Sequence, residues 1–228
     1  MTGKDEKYLS GTQSLSIEIF APASAGKHPA ILILHGTFGL LPEYRADIVS
    51  FAEALVDKGI AGIIPHYLES TKTDPGIGVL QLIPGSLPIW KKACADALAF
   101  IAGDARFDPS HLGALGFSLG GHLALSLGMA PPPATPLRCI ADFFGPTRNP
   151  PLESNWSNLP PVLILHGTSD PLVPLAESQY LVTKLDEAGK KKDRDYFFHM
   201  YEGEGHGFKV DALTKSRVET VEFFGRIL

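Results

Sequence analysis

A chain of 228 residues with a hydrophobic fraction of 44% is long enough for one globular domain with a well-filled core. Its net charge of −5 argues against a nucleic-acid surface, which needs clustered basic residues. No stretch approaches the roughly 18 apolar residues of a membrane helix, and no apolar leader follows the charged N-terminus, so we expect a cytoplasmic protein without a membrane partner.

Seven short apolar runs, bounded by turn residues, predict β-strands. The runs cover residues 15–20, 30–34, 60–64, 112–117, 139–144, 162–165 and 196–201. Most are apolar without alternation, which is typical of strands buried on both faces of a parallel sheet. The first run alternates more, and this pattern is compatible with an antiparallel edge strand.

Apolar residues at helical spacing predict helices between and after the strands. These helices cover residues 43–58, 88–102, 119–129, 175–188 and 211–227. The last helix is expected to pack through its apolar residues, Val218, Val221, Phe223 and Phe224. Because strands and helices alternate along the whole chain, we predict an α/β fold of a single domain, 1–228, with a doubly wound, mostly parallel sheet and helices on both faces.

Two proline-rich segments interrupt this pattern. Residues 69–87 are long for a connection, and they are predicted to form either a flap over the site or a surface excursion against the sheet edge. Four prolines within residues 131–136 are expected to end the helix at 119–129.

The segment 116–120 reads Gly-Phe-Ser-Leu-Gly and joins a predicted strand to a predicted helix. A Gly-x-Ser-x-Gly motif in this setting is typical of a tight turn that presents a nucleophilic serine. The glycines are needed because side chains beside such a turn would collide with neighbouring elements. We therefore predict that Ser118 is a nucleophile.

A serine hydroxyl needs a positioned base, and in this type of fold the acid and the base follow the serine in chain order. Asp170 lies in the loop after the strand at 162–165, and His206 lies in a glycine-rich loop after the strand at 196–201. His206 is predicted to act as general base, and Asp170 is predicted to orient it.

Two backbone N–H groups should stabilise the negative charge that develops on a carbonyl oxygen during acyl transfer. Leu119 directly follows the nucleophile and is one predicted donor. The other is expected in the loop after the strand at 30–34, where Thr37 is preferred over Phe38. The cysteines and histidines show no metal-ligand spacing, so we predict neither a metal nor a cofactor.

Four segments together resemble the dienelactone hydrolase family of α/β-hydrolases. They are His-Gly-Thr-Phe-Gly at 35–39, Gly-Phe-Ser-Leu-Gly-Gly at 116–121, Thr-Ser-Asp-Pro-Leu-Val-Pro at 168–174 and Gly-His-Gly-Phe at 205–208. The resemblance spans from about residue 17 to the C-terminus, and it implies the α/β-hydrolase fold and a triad of Ser118, Asp170 and His206.

This chain departs from the dienelactone hydrolases proper at several positions. Those enzymes use a cysteine nucleophile where this chain has Ser118, and a glutamate that activates it where this chain has Gly36. They bind the substrate carboxylate through arginines, and the segment after His206 here has none; Arg45 and Lys209 are conceivable substitutes. The resemblance therefore implies a serine-nucleophile variant acting on other small esters rather than on dienelactone.

The residues and the resemblance together predict a hydrolase that cleaves small carboxylic esters or lactones through an acyl-enzyme on Ser118. The alternatives are a small serine peptidase or amidase of the same fold, and a non-catalytic binding protein on a hydrolase scaffold. Apolar residues of the loops near the predicted site suggest a modest hydrophobic small-molecule substrate. The expected substrate contacts are Phe38, Tyr67, Phe144 and Trp156.

Overall fold

The computed structural model describes residues 3–130 and 136–228. Within these ranges, eight strands are present: β1 (Lys4–Ser10), β2 (Gln13–Phe20), β3 (His28–Leu34), β4 (Ala61–Pro65), β5 (Phe107–Phe117), β6 (Cys139–Phe143), β7 (Val162–Gly167) and β8 (Tyr196–Tyr201). The same ranges contain five α-helices: α1 (Pro42–Val56), α2 (Val79–Gly103), α3 (Leu119–Met129), α4 (Ala176–Glu187) and α5 (Val210–Ile227).

All eight strands belong to one sheet, in the order β1-β2-β4-β3-β5-β6-β7-β8. The strands from β4 to β8 in this order are parallel, whereas β2 runs antiparallel to both β1 and β4. The predicted α/β architecture with a mostly parallel sheet is confirmed. Because β5, β7 and β8 run in the same direction, their carboxyl ends lie along one edge of the sheet.

Helices cover both faces of the sheet, and the central strands are apolar on both sides. In β3, Leu32 and Leu34 pack in the cluster that includes residues of α2, α3 and α4. Ile31 and Ile33 point the other way, into the cluster formed with α1 and α5. This two-sided burial explains why the strand sequences are apolar without alternation.

The N-terminal strand β1 was missed in the sequence. It is rich in charged residues, and Tyr8 is its one buried side chain. Charged residues are common in edge strands because they discourage pairing with other chains. β1 joins β2 through the two-residue turn at Gly11 and Thr12, and Gly11 has a φ of 58°. The interpretation of residues 15–20 as a possible sheet edge is therefore wrong, although their antiparallel pairing is confirmed.

Helix α2 begins at Val79, not at residue 88 as the prolines suggested. Pro84 and Pro88 lie inside the helix, where each removes a backbone donor. Val79 is buried, and Ile83 and Leu87 pack against the same core cluster as the rest of α2. Burial of this continuous apolar stripe stabilises the helix by more than the two prolines destabilise it. Residues 79–87 are therefore the first turns of a helix, and the prediction of a long irregular segment at 69–87 is wrong for this part.

The other four helices lie close to their predicted ranges, and one predicted packing residue differs. Val218 was expected to pack in the core but is 51% exposed, whereas Val221, Phe223 and Phe224 are buried. Helix α3 ends at Met129, and residues 131–135 of the predicted proline stop lie outside the described residues. In the described part of the chain, we find no helix with the length and apolar character that a bilayer crossing requires.

Candidate active site

Ser118 lies on the sharp turn between β5 and α3. Its φ of 54° and ψ of −116° fall in a region that non-glycine residues rarely adopt. The turn is held by two hydrogen bonds: the Ser118 N–H donates to the Phe143 carbonyl (2.9 Å), and the His122 N–H donates to the Ser118 carbonyl (3.1 Å). A strained backbone fixed in this way holds the hydroxyl at the carboxyl edge of the sheet.

The glycines around Ser118 are required by close backbone packing. A Cβ atom at Gly116 would collide with the backbone of Gly120, and a Cβ atom at Gly120 would collide with the carbonyl of Leu34. Any larger residue would therefore push α3 away from β3 and β5. This contact explains the spacing of the Gly-x-Ser-x-Gly motif.

Asp170 lies in the loop after β7, and its side chain is fully buried. Its Oδ1 accepts hydrogen bonds from the backbone N–H groups of Leu172 (2.8 Å) and Val173 (2.9 Å). Burial opposes the charged form, but the nearby His166 ring and the hydrogen bonds from His206 and the Val173 N–H outweigh it and hold the pKa of this carboxyl well below its usual range. Asp170 is therefore ionised near neutral pH.

The loops that carry Asp170 and His206 are joined by backbone contacts. The Ser169 N–H donates to the Glu204 carbonyl (2.9 Å), and the Gly203 N–H donates to the Thr168 hydroxyl (2.9 Å). The Phe144 ring packs on the His206 ring with centroids 4.6 Å apart. These contacts restrict where the imidazole can lie.

Ser118, His206 and Asp170 form one continuous hydrogen-bonded array. His206 Nδ1 lies 2.8 Å from Asp170 Oδ2, and His206 Nε2 lies 3.0 Å from Ser118 Oγ. An ionised carboxylate accepts the proton of Nδ1, so Nε2 carries the lone pair and accepts the serine hydroxyl. The structure thus brings together the three side chains that the sequence singled out, in the orientation that proton transfer from the serine requires.

Thr37 and Leu119, the predicted backbone donors, both lie beside Ser118. Leu119 is the first residue of α3, where an N–H has no acceptor within the helix. The neighbouring Gly36 lies against the nucleophile, because a Cβ atom there would be 3.4 Å from Ser118 Cβ. The Thr37 carbonyl accepts the Gly76 N–H (2.9 Å), which anchors the loop.

Tyr67 packs in the core against the start of the loop that carries Thr37, and it does not line the cavities beside Ser118. The Tyr67 hydroxyl donates to the His35 carbonyl (2.7 Å), and its ring stacks on the His35 ring at 4.4 Å. Burial lowers the pKa of His35 to about 4, so its ring is neutral near neutral pH. The expectation that Tyr67 contacts substrate is wrong, because its side chain is fully buried.

Trp156 also lies away from the site. It borders a separate surface depression beside Lys184 and Glu187, and its ring packs edge-on against Tyr180. The expectation that Trp156 contacts substrate is therefore wrong as well. Phe38 and Phe144, the other two expected contacts, do line a cavity at Ser118.

Two cavities meet at Ser118. The larger has a volume of about 330 Å³, reaches His206 and is called here the aromatic cavity. Six aromatic residues line it, namely Phe38, Tyr44, Phe117, Phe143, Phe144 and Phe208. The exposed acidic residues Glu43 and Asp47 also border it. The sequence did not indicate Tyr44 and the two acidic residues as site residues. They belong to α1, where an amphipathic helix is expected to have exposed polar residues whether or not a binding site is near.

The smaller cavity has a volume of about 250 Å³ and is called here the aliphatic cavity. Aliphatic residues and prolines dominate its lining, namely Leu80, Ile83, Leu119, Pro146, Pro150, Leu172, Val173 and Pro174. Thr37 and Ser118 line both cavities. Nothing in the sequence indicated a division into two cavities.

Neither basic residue proposed as a substitute carboxylate binder lines these cavities. Both terminal guanidinium nitrogens of Arg45, Nη1 and Nη2, donate to the carboxylate of Glu18 at 2.7 Å. The Lys209 backbone N–H donates to Glu204, where α5 begins. The charged residues that border the aromatic cavity in the described part of the chain are thus both acidic.

A second buried carboxyl lies beneath the serine turn. Asp142 Oδ1 accepts the Gly145 N–H at 3.1 Å, and a Cβ atom at Gly121 would strike this oxygen. Asp142 Oδ2 is buried and has no hydrogen-bond partner among the described residues. Burial raises the pKa of Asp142 to about 7, although His166 and the Gly145 N–H act in the opposite direction.

Comparison with known proteins identifies the family of this chain. The sequence profile of the dienelactone hydrolase family matches residues 16–222, which is most of the chain. The chain belongs to the dienelactone hydrolase family. A curated relative, "Putative esterase NocK" of Nocardia uniformis subsp. tsuyamanensis, is 34% identical over 158 residues. The match covers 68% of this chain but 43% of NocK, so the chain spans less than half the length of that relative.

Solved structures share the fold of this dienelactone hydrolase family member at low sequence identity. A dienelactone hydrolase-like promiscuous phosphotriesterase from metagenomic libraries superposes with a TM-score of 0.80 at 19% identity, covering 99% of this chain and 98% of that one. A puromycin-hydrolyzing peptidase of Mycobacterium tuberculosis gives 0.79 at 19% identity, covering 99% of this chain and 39% of the peptidase. The acylaminoacyl peptidase of Pyrococcus horikoshii gives 0.79 at 15% identity, covering 100% of this chain and 42% of that enzyme.

Proposed function

We propose that this member of the dienelactone hydrolase family is a serine hydrolase of small carboxylic esters or lactones. The observation that carries the proposal is the hydrogen-bonded array from Ser118 through His206 to Asp170. Family membership and the match to NocK support ester chemistry. The absence of the family's cysteine and glutamate at positions 118 and 36 favours substrates other than dienelactone.

In the proposed mechanism, His206 Nε2 takes the proton of the Ser118 hydroxyl as Oγ bonds to the ester carbonyl carbon. The backbone N–H groups of Thr37 and Leu119 stabilise the oxyanion. Protonated His206 then gives its proton to the alkoxy oxygen, and the alcohol leaves. Water, deprotonated by His206, attacks the acyl-Ser118 ester. His206 then returns this proton to Ser118 Oγ as the bond to the acyl carbon breaks and the acid leaves.

Asp170 stays ionised through both halves of this cycle. Its carboxylate fixes the tautomer of His206 with the proton on Nδ1 and stabilises the imidazolium that forms when Nε2 is protonated. The hydrogen bonds from the backbone N–H groups of Leu172 and Val173 keep the carboxylate in place. His166 Nε2 donates to the Val173 carbonyl (2.8 Å), which holds this loop from the other side.

A fluorophosphonate probe tests the proposal, because it reacts with a serine that an adjacent base activates. We expect one probe per chain on the native protein, mapped by peptide mass spectrometry to the peptide containing Ser118. Ser118→Ala should abolish labelling, and heat-denatured wild-type protein should not label.

Native protein that stays unlabelled, or that is labelled at another serine, would contradict the assignment. Parallel assays with p-nitrophenyl acyl esters and aminoacyl anilides then separate an esterase from a peptidase or amidase of the same fold. Faster turnover of the esters supports the proposal. A labelled protein that cleaves the anilides faster would place the same array in a peptidase.

A further inference from the structure

The position of Ser118 between the aromatic and the aliphatic cavity assigns a separate subsite to each half of an ester. In the tetrahedral intermediate, the central carbon holds four groups: Ser118 Oγ, the oxyanion, the acyl chain and the alkoxy group. The first two are held by the nucleophile and by the backbone donors at Thr37 and Leu119. The other two groups must therefore extend into the two remaining directions, one into each cavity.

His206 decides which group takes which direction. The protonated imidazole must reach the alkoxy oxygen to release the alcohol, so the alcohol lies on the His206 side of Ser118. His206 borders the aromatic cavity and is not among the described residues that line the aliphatic cavity. Leu119, an oxyanion donor in the proposed mechanism, borders only the aliphatic cavity of the two.

We propose, on the basis of the function proposed above, that the aromatic cavity binds the alcohol portion and the aliphatic cavity binds the acyl chain. The substrate class is an aryl or arylalkyl ester of a short to medium aliphatic acid. Ring faces at the aromatic cavity suit an aromatic alcohol, since Phe38 and Tyr44 already stack with centroids 5.0 Å apart. Its volume of about 330 Å³ exceeds the roughly 150 Å³ that a cavity needs to hold one benzene ring.

Acidic residues at the mouth of the aromatic cavity restrict the charge that the alcohol portion of the ester can carry. Glu43 and Asp47 lie one turn apart on α1, and both are exposed at the cavity. An alcohol portion that carries a carboxylate would be repelled there, and Arg45 is held by Glu18 instead of facing the cavity. The alcohol portion is therefore uncharged or cationic.

Selectivity ratios test the assignment, because the intrinsic reactivity of each ester cancels when a variant is compared with wild type. The acyl ratio is kcat/KM for p-nitrophenyl hexanoate divided by that for p-nitrophenyl acetate. The alcohol ratio is kcat/KM for phenyl acetate divided by that for methyl acetate. The charge ratio is kcat/KM for phenyl acetate divided by that for 4-acetoxybenzoate.

Ile83→Trp fills the aliphatic cavity and should lower the acyl ratio about tenfold, with the alcohol ratio within about twofold of wild type. Ile83→Ala widens the cavity and should shift the preferred acyl chain to a longer one, so the test does not depend on the fit of one large side chain. Leu82→Trp is the matched control, because Leu82 is 46% exposed on the same helix turn and should leave both ratios as in wild type.

Tyr44→Ala removes a ring from the aromatic cavity and should lower the alcohol ratio about five- to tenfold, with the acyl ratio within about twofold. Tyr180→Ala, which removes a ring near Trp156, is its control.

Glu43→Gln combined with Asp47→Asn should lower the charge ratio about threefold or more in low salt, and the effect should fade in high salt. Thermal unfolding of each variant checks that the fold is retained.

The opposite pattern would overturn the assignment: Ile83 variants changing the alcohol ratio, Tyr44→Ala changing the acyl ratio, or every variant changing both ratios equally. In that case fluorophosphonate labelling of Ser118 and ester turnover would persist, so the proposed function would stand. Loss of the proposed function is recognised separately, by native wild-type protein that neither labels at Ser118 nor hydrolyses any of these esters.

Discussion

Ser118→Ala is expected to lower kcat for a small ester such as p-nitrophenyl acetate by about 10⁶-fold, with the fold intact. Without Oγ no acyl-enzyme forms, and His206 has no hydroxyl to deprotonate. The residual rate should come from substrate binding and from the backbone N–H groups of Thr37 and Leu119, which the substitution leaves in place. Steady-state kinetics with purified variant and wild-type protein measure the loss.

Ser126→Ala is the matched control, since it makes the same chemical change within α3, the helix that follows Ser118. Ser126 is buried, and its hydroxyl has no hydrogen-bond partner among the described residues. Its removal should leave kcat within about twofold of wild type, because Ser126 lies two helical turns from the nucleophile. Retention of more than about a tenth of the wild-type kcat by Ser118→Ala would contradict the account.

Asp142→Asn is expected to remove a large pH dependence of stability. The pKa of Asp142 is raised from 3.8 to about 7 in the folded protein, so the folded state holds this proton more tightly than the unfolded state. In the wild-type protein, the contribution of protonated Asp142 to the free energy of unfolding is at its maximum below about pH 4. It is lost as the pH rises to about 7. The shift corresponds to about 4 kcal/mol in the free energy of unfolding.

Asparagine reproduces the shape of the protonated carboxyl but does not titrate. Its side-chain oxygen can still accept the Gly145 N–H, so the contact beneath the serine turn survives. Urea unfolding at a series of pH values should show that Asp142→Asn gains about 2–4 kcal/mol relative to wild type between about pH 4.5 and pH 8. Asp5→Asn, at an exposed position in β1, should follow the wild-type profile. A difference between Asp142→Asn and wild type that stays constant with pH would show that Asp142 is not protonated in the fold.

The serine turn and its partners could be predicted from sequence because each obeys a local rule. Only glycine fits where Gly120 meets the carbonyl of Leu34, and this restriction leaves a readable motif around Ser118. Asp170 and His206 each follow a buried apolar strand, and parallel strands bring their carboxyl ends to one edge of the sheet. The motif and the strand pattern together therefore predict the array of Ser118, His206 and Asp170.

Other features depend on tertiary packing and left weak local signals. Pro84 lies in the segment predicted to be irregular, and the helix was predicted to begin only at Pro88. The apolar stripe of Val79, Ile83 and Leu87 nevertheless gains enough from burial against the core to keep this part of α2 helical. That stripe was present in the sequence at helical spacing. Strand β1 is charged because it is an edge, so it lacked the apolar run that marked the other strands.

The lining of the cavities was the least predictable part of the site. Tyr67 lies just after β4, and Trp156 lies in the segment between β6 and β7, which are positions compatible with a contact to substrate. However, the Tyr67 side chain is buried in the core, and the Trp156 ring packs beside Tyr180. Which side of a loop a ring occupies depends on neighbours that are distant in sequence. The residues that line the cavities therefore follow from tertiary packing, whereas the nucleophile follows from a local sequence motif.

Trapping of the acyl-enzyme tests the central claim most directly. Wild-type protein is mixed with p-nitrophenyl acetate, quenched in acid before the steady state and during it, and mapped by peptide mass spectrometry. We predict a single acetyl group on the peptide containing Ser118, which forms as fast as nitrophenol is released and disappears when the ester is exhausted. Turnover without an acetylated intermediate, or an intermediate on another residue that forms and decays at the catalytic rate, would contradict the account.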